Sequence, residues 1–149
     1  MSDARPVFDQ LNLIVRDMDA TLAFYRRLGL EIRAGPGDWP PGSGARHADV
    51  TAEGAARLEF DNVPMARIWH AGWRDGKLSR VRTVLNFSLP TREAVDLLYA
   101  ELIAAGYPGR QPPGDAFWGA RYAIVQDPDG NDVGLMSPID PQRRYTPET

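Results

Sequence analysis

Two histidines, His47 and His70, and no cysteine set narrow limits on the chemistry this chain could perform. Without thiols there is no cysteine nucleophile, no thiolate-held metal and no disulfide. No HExxH helix, P-loop or glycine-rich dinucleotide fingerprint occurs, and Gly35-Pro36-Gly37 is loop punctuation. His47 falls on a predicted strand and His70 in a predicted lid, and each reads as an exposed or hydrogen-bonded side chain. Asp127-Pro128-Asp129-Gly130-Asn131 concentrates acids but reads as a turn. Proline presets its first dihedral there, and glycine accepts the positive one. The clearest chemical signal is aromatic. Trp39, Trp69, Trp73, Phe117 and Trp118 fall in predicted loops or at strand edges, where flat faces stack on planar ligands and hold cations through the ring quadrupole.

The elements that must position these residues repeat. Phe8 to Val15 reads as a strand with Leu11, Leu13 and Val15 on one face and Gln10, Asn12 and Ile14 on the other. Asp17 or Asp19 caps the helix that follows, Ala20, Ala23, Phe24 and Leu28 give it an apolar stripe, and Gly29 ends it. Leu30-Glu31-Ile32 starts another strand. After a Gly/Pro loop come strands around 46–51 and 57–62, with 52–55 as their turn. Laying Leu11-Asn12 on Leu85-Asn86 also lays Tyr25 on Tyr99 and Leu28 on Leu102. In this second copy Thr91 caps the helix, Val95, Leu98 and Leu102 form its stripe, and Gly106 ends it. A Pro/Gly loop over 108–114 then leads to strands over 121–126 and 132–136. Each half is strand, helix and about three further strands. The stretch 64–80 reads as a loop or lid between the halves, and 139–149 as an extended or disordered tail.

The chain resembles the vicinal oxygen chelate superfamily, which includes glyoxalase I, bleomycin-resistance proteins, fosfomycin-resistance enzymes and extradiol dioxygenases. Three stretches carry the resemblance. They are Leu13 to Asp17 leading into Phe24-Tyr25-Arg26-Arg27-Leu28-Gly29-Leu30, then Leu58-Glu59-Phe60, then Trp118-Gly119 followed by Asp127 to Asn131. It implies an α+β domain of two βαβββ modules, about 7–63 and 81–138, forming one open, barrel-like sheet around a pocket. The pocket would be faced by Gln10, Asn12, Arg82, Val84, Asn86 and Ser88, with Tyr122, Ile124 and Met136 adding to its wall. A homodimer is also implied.

In metal-dependent relatives four strand positions supply ligands. On this chain the resemblance places them at Gln10, Glu59, Val84 and Gly134, and the last two cannot coordinate. Catalytic zinc needs three protein ligands, and oxygenase iron two histidines and a carboxylate, so Gln10 and Glu59 are the remaining ligand-type positions and no metal or cofactor is expected. A carboxylate at Glu59 would be partly desolvated and its pKa would rise unless a cation sits nearby. Arg57 and Arg82 have the parity to supply one. Glu59 is then a general base, a clamp for a ligand amine, or an arginine-paired pocket carboxylate.

Composition bounds the rest. The 149 residues are 43% hydrophobic and 25% charged with net charge −3, which suits one compact domain. That balance argues against a nucleic-acid partner, because phosphate binding needs a basic face. No apolar run is long enough for a membrane span and no signal peptide is visible, so a cytoplasmic protein is expected. Three functions follow. The first is a metal-free protein that binds or sequesters a small aromatic molecule, of the antibiotic-resistance type. Its ligand would be held by Gln10, Asn12, Trp39, Glu59, Trp69, Trp73, Arg82, Val84, Asn86, Phe117, Trp118, Tyr122 and Met136. The second is an enzyme, a glyoxalase-like lyase or isomerase or a dioxygenase-like protein, using a displaced metal or Glu59 as base. The third is a domain that docks a protein partner through its aromatic lid. The first is preferred.

Overall fold

Alternation along β1 (Val7–Val15) decides which way the sheet faces. Gln10, Asn12 and Ile14 are buried on one side, and Leu13 and Val15 pack on the other against α1 (Met18–Arg27). The computed structural model describes residues 4–27, 30–50, 56–74, 83–126 and 130–149, apart from the side chains of Phe24 and Arg27. The expected helix stop at Leu28-Gly29, the 52–55 turn, Arg82 and the acids Asp127 and Asp129 lie outside the described residues.

The strands are β1, β2 (Ile32–Ala34), β3 (His47–Val50), β4 (Arg57–Asn62), β5 (Thr83–Ser88), β6 (Gly109–Asp115), β7 (Arg121–Gln126) and β8 (Asp132–Met136). They form one open sheet in the order β2-β3-β4-β1-β5-β8-β7-β6. β1 and β5 run antiparallel at its centre, and each lies parallel to the last strand of its own half. The repeat read from the sequence is therefore a structural duplication. Gln10 and Asn12 pair with Asn86 and Val84, so the copy of Gln10 is Val84 and the copy of Asn12 is Asn86. Asn12 pairs with Glu59 as Asn86 pairs with Gly134. His47 pairs with Asp61 as Tyr122 pairs with Met136.

Among the described residues, α1 and α4 (Arg92–Ala104) pack on the other face of the sheet. α1 is capped by Asp17, whose Oδ1 accepts from the Ala20 N–H at 2.9 Å. Met18 and Leu22 on this helix meet Ala48 and Phe60 of the sheet. α4 is capped by Thr91, as expected, and sets Ala94 and Val95 against Ala123 and Leu135.

Three segments differ from the sequence reading. The first part of the stretch 64–80 read as a lid forms α2 (Val63–Trp69) and α3 (Ala71–Arg74), and residues 75–80 lie outside the described residues. Asn62 Oδ1 caps α2 by accepting from the Met65 N–H at 3.1 Å, and Pro64 occupies the first turn, where its missing N–H costs nothing. Trp69 and Trp73 consequently sit in a buried cluster on the concave side with Ile14, Val84, Ile124 and Met136, not in loops. The 108–114 stretch read as a loop is mostly β6. Its prolines are tolerated because β6 is an edge strand whose register shifts at two irregularities. The tail read as extended or disordered instead makes a 3-10 turn at Pro141–Arg143 and folds back on the loop after β6. Among the described residues no helix is long and apolar enough to cross a membrane.

Candidate functional site

The concave face encloses a cavity of about 460 Å³, and the duplication explains its character. On the first half, alternation turns His47 and Asp49 of β3, Gln10 and Asn12 of β1, and Arg57, Glu59 and Asp61 of β4 into it. On the second half the matching positions are Val84, Asn86, Tyr122, Ile124, Gly134 and Met136. Asn86, Tyr122 and Met136 line the cavity, and Val84 and Ile124 are packed in the buried cluster, so Ile124 does not add to the wall as expected. One wall is polar and charged, and the other is apolar and aromatic. Trp69 from α2, Phe117 and Trp118 from the loop after β6, and Trp39 from the loop before β3 complete the aromatic side.

The polar wall is tied together by hydrogen bonds and ion pairs. Asp61 accepts from Asn12 Nδ2 at 2.8 Å on Oδ2 and meets His47 Nδ1 at 2.7 Å on Oδ1. Burial alone would lower the His47 pKa. The hydrogen bond and charge of Asp61, helped by Glu59 and Asp49, outweigh that and bring it to about 9. His47 is therefore an imidazolium at neutral pH, with Nδ1–H donating to Asp61. Glu59 Oε2 accepts from Gln10 Nε2 at 3.0 Å, and Oε1 lies 3.5 Å from Arg57 Nη1. Arg57 also reaches Asp9 at 2.6 Å. Burial raises the Glu59 pKa. His47 and Arg57 pull it down, Asp61 and Asp49 push it up, and the balance stays above the ordinary value. Two buried atoms of cavity residues, Asn12 Oδ1 and Trp69 Nε1, have no hydrogen-bond partner among the described residues.

The aromatic wall is continuous. Trp39 meets Phe117 at 5.3 Å between ring centroids, Phe117 meets Trp118 at 5.0 Å, and Trp118 meets Tyr122 at 5.2 Å. Tyr122 is buried. Burial first, then the charges of Asp132, Asp61 and Glu59, hold its phenol protonated, and it donates to Asn86 Oδ1 at 2.8 Å.

Of the residues expected from the sequence, Gln10, Asn12, Trp39, Glu59, Trp69, Asn86, Phe117, Trp118, Tyr122 and Met136 line this cavity. Val84 and Trp73 lie in the packed cluster and do not line it. His47, Asp49 and Asp61 were not among the expected ligand-binding residues. The signal for them was present: Arg57, Glu59 and Asp61 alternate on one strand, and His47 and Asp49 on the next. His70 does not line the cavity; it lies behind Trp69, with their ring centroids 5.7 Å apart. It is fully buried, its Nδ1 accepts from the Gly72 N–H at 3.1 Å, and Nε2 therefore carries the proton given to Asp132 Oδ2 at 2.7 Å.

A family model described as the Glyoxalase/Bleomycin resistance protein/Dioxygenase superfamily matches residues 7–135. The chain belongs to this superfamily. Solved structures repeat its fold at low sequence identity. A hypothetical protein from Bacillus halodurans is 17% identical with a TM-score of 0.62, the alignment covering 91% of this chain and 96% of that one. A Streptomyces coelicolor methylmalonyl-CoA epimerase in complex with 2-nitronate-propionyl-CoA is 20% identical, TM-score 0.58, covering 87% and 95%. Methylmalonyl-CoA epimerase from Mycobacterium tuberculosis is 15% identical, TM-score 0.58, covering 94% and 93%. No curated protein matches the chain in sequence.

The side chains present do not suit the divalent metal of the superfamily's metal-dependent members. Among the described residues, no group of three or more His, Asp or Glu side chains is placed to hold an ion. Val84 has no donor atom. At Gly134 even a Cβ would collide with Asn86 Oδ1 and lie 2.7 Å from the Tyr122 hydroxyl. The Tyr122–Asn86 hydrogen bond fills the space that a ligating side chain on that strand position would need. Glu59 is engaged by Gln10 and Arg57.

Proposed function

We propose that this superfamily member binds a small aromatic molecule carrying a basic nitrogen and sequesters it unchanged, in the manner of a resistance protein. The single observation behind this reading is the two-sided cavity, with an acid-rich wall facing a continuous aromatic one. Its volume of about 460 Å³ suits a drug-sized ligand. A planar ring would lie against Trp39, Phe117 and Trp118, where stacking and the ring quadrupoles favour a cationic ring system. Glu59 is the wall carboxyl most loosely paired with a cation: Arg57 lies 3.5 Å away and is shared with Asp9, whereas Asp61 has His47 at 2.7 Å and Asp49 has Arg33 at 2.5 Å. A ligand ammonium at Glu59 would restore the charge that burial disfavours. The same reading makes the protein a cytoplasmic homodimer that needs no cofactor, and sedimentation equilibrium checks the dimer.

Tryptophan fluorescence titration with matched aromatic amines, alcohols and acids tests the proposal. The amine should bind at least about tenfold tighter than the isosteric acid, an increment of roughly 1.4 kcal/mol. Glu59→Gln should erase that preference. Mass spectrometry should return the ligand unaltered, and a preference for the acid or a chemically altered ligand would refute the reading.

A second reading is favoured by one observation, the protonated His47 and the raised carboxyl of Glu59 on one wall. Such a pair could act as acid and base in a cofactor-free isomerase or lyase. Deuterium incorporation from solvent into a bound carbonyl compound, lost in Glu59→Gln with binding intact, would establish that reading.

A further inference from the structure

The segment that follows the family match is bound to the loop carrying two of the cavity's aromatic walls. Its hydrogen bonds go to four backbone carbonyls of one short stretch. The Asp140 N–H donates to the Gly119 carbonyl at 3.0 Å and the Tyr145 N–H to the Phe117 carbonyl at 3.1 Å. Arg144 Nε donates to the Trp118 carbonyl at 3.3 Å, and the Tyr145 hydroxyl to the Asp115 carbonyl at 2.6 Å. The contact is close-fitting as well. Gly119 has φ +99°, and a Cβ there would strike the Asp140 carbonyl oxygen. On the opposite side, the Asp115 carboxylate is held by Arg92 and Arg121, and Arg121 also binds Asp96 of α4 at 2.8 Å.

The rings on this loop need such anchorage. Phe117 and Trp118 wall the ligand cavity, and together with Trp69 and Tyr122 they also wall a second cavity of about 220 Å³, whose outer side includes Tyr145 and Pro147. Both rings are partly buried against the Trp69–Tyr122 cluster and touch neighbouring rings, and each also borders both cavities, where close packing does not hold it. On the cavity sides their position depends on the backbone that carries them, and that backbone is tied down by residues 140–145.

We propose that the C-terminal segment is a strap, with Tyr145 as a positioning residue, that holds Phe117 and Trp118 in the shape the ligand cavity requires. Its effect on affinity rests on the reading of that cavity as an aromatic-base site; its effect on loop order rests on geometry alone.

The test compares the full chain with Tyr145→Phe and with the double variant Arg144→Ala/Tyr145→Ala. These side chains are exposed, so the fold is not at stake. Hydrogen exchange at the Ala116 and Gly119 amides and near-UV circular dichroism of the coupled rings report on the loop. Fluorescence titration with the aromatic cation p-aminobenzamidine reports on the cavity. The double variant should speed exchange of those two amides about tenfold, reduce the ring signal, and leave β7–β8 amides unchanged. Probe affinity should fall about threefold for Tyr145→Phe and about tenfold for the double variant, in line with one and two lost hydrogen bonds. Unchanged loop exchange and ring signal would overturn the proposal whatever the probe does. A loosened loop with equal probe affinity in all three proteins would overturn the strap's role in the site. A loosened loop in a protein that does not bind the probe even as wild type would keep the strap and remove the aromatic-base reading.

Discussion

Replacing Gly134 by alanine adds one methyl group at a position where the structure has no room for it. The added Cβ would collide with Asn86 Oδ1, lie 2.7 Å from the Tyr122 hydroxyl and 3.0 Å from Asn86 Cγ. Asn86 is 2% and Tyr122 5% exposed, so neither can turn into solvent. Asn86 must rotate, which breaks the 2.8 Å bond from Tyr122. Leaving those buried polar groups unpaired costs about 1–3 kcal/mol, and overpacking adds about 1–3 kcal/mol. At roughly 2–4 °C per kcal/mol for a chain of this size, the melting temperature should fall on the order of 10 °C. Differential scanning calorimetry at neutral pH measures it. Asn86→Ala removes the obstructing amide, so Gly134→Ala in that background should cost far less than alone, a coupling that a double-mutant cycle isolates. A Gly134→Ala protein melting within about 2 °C of wild type would refute the argument that this hydrogen bond fills the ligand position.

Other consequences are as direct. His47 should titrate by NMR with a midpoint near 9. Because its folded pKa lies above the ordinary 6.5, its contribution is fully present below pH 6.5 and is lost as pH rises through about 9. With 42% of the side chain exposed, solvent screening limits that contribution to on the order of 1 kcal/mol, and a midpoint near 6.5 would refute the Asp61 pairing. Glu59 has the opposite consequence: a carboxyl raised above 4.5 binds its proton more tightly folded than unfolded, so it lowers stability as pH rises from 4.5 through its folded pKa. Glu59→Gln should therefore leave stability at pH 7 unchanged or higher, and a clear loss in a urea melt would contradict this. His70→Phe should cost about 3–5 kcal/mol, because it leaves the fully buried Asp132 without its imidazole donor; a small change in chemical denaturation would show that the pair matters little. Zn²⁺, Ni²⁺ or Mn²⁺ should raise the melting temperature by less than about 1 °C, since a native-state site would announce itself by mass action. A stoichiometric shift would overturn the misfit at Val84 and Gly134.

Much of this protein is legible in its sequence, because strand periodicity and caps are local. The two-residue alternation of Gln10-Leu11-Asn12-Leu13 fixes which side chains turn to the cavity and which to α1, and Thr91 marks the start of α4 three residues before the N–H it captures. The superfamily motifs are local runs as well. Asn62 before Val63-Pro64 was a helix start in the sequence, but the glycines and tryptophans that follow obscured it. Other features depend on register across the sheet, which no local pattern contains. His47 becomes an imidazolium only because β3 pairs with β4 and brings Asp61 to 2.7 Å. β6 is a strand through Pro112 and Pro113 only because it lies at an edge with no neighbour requiring those N–H groups. The tail is ordered by carbonyls of residues 115–119 that its own sequence does not reveal. The space beside Gly134 is closed by Tyr122 and Asn86, contributed by two other strands. Local sequence determined faces, caps and family; tertiary contact decided charge states, order in the tail and the fit of a metal, because each of those depends on groups far apart along the chain.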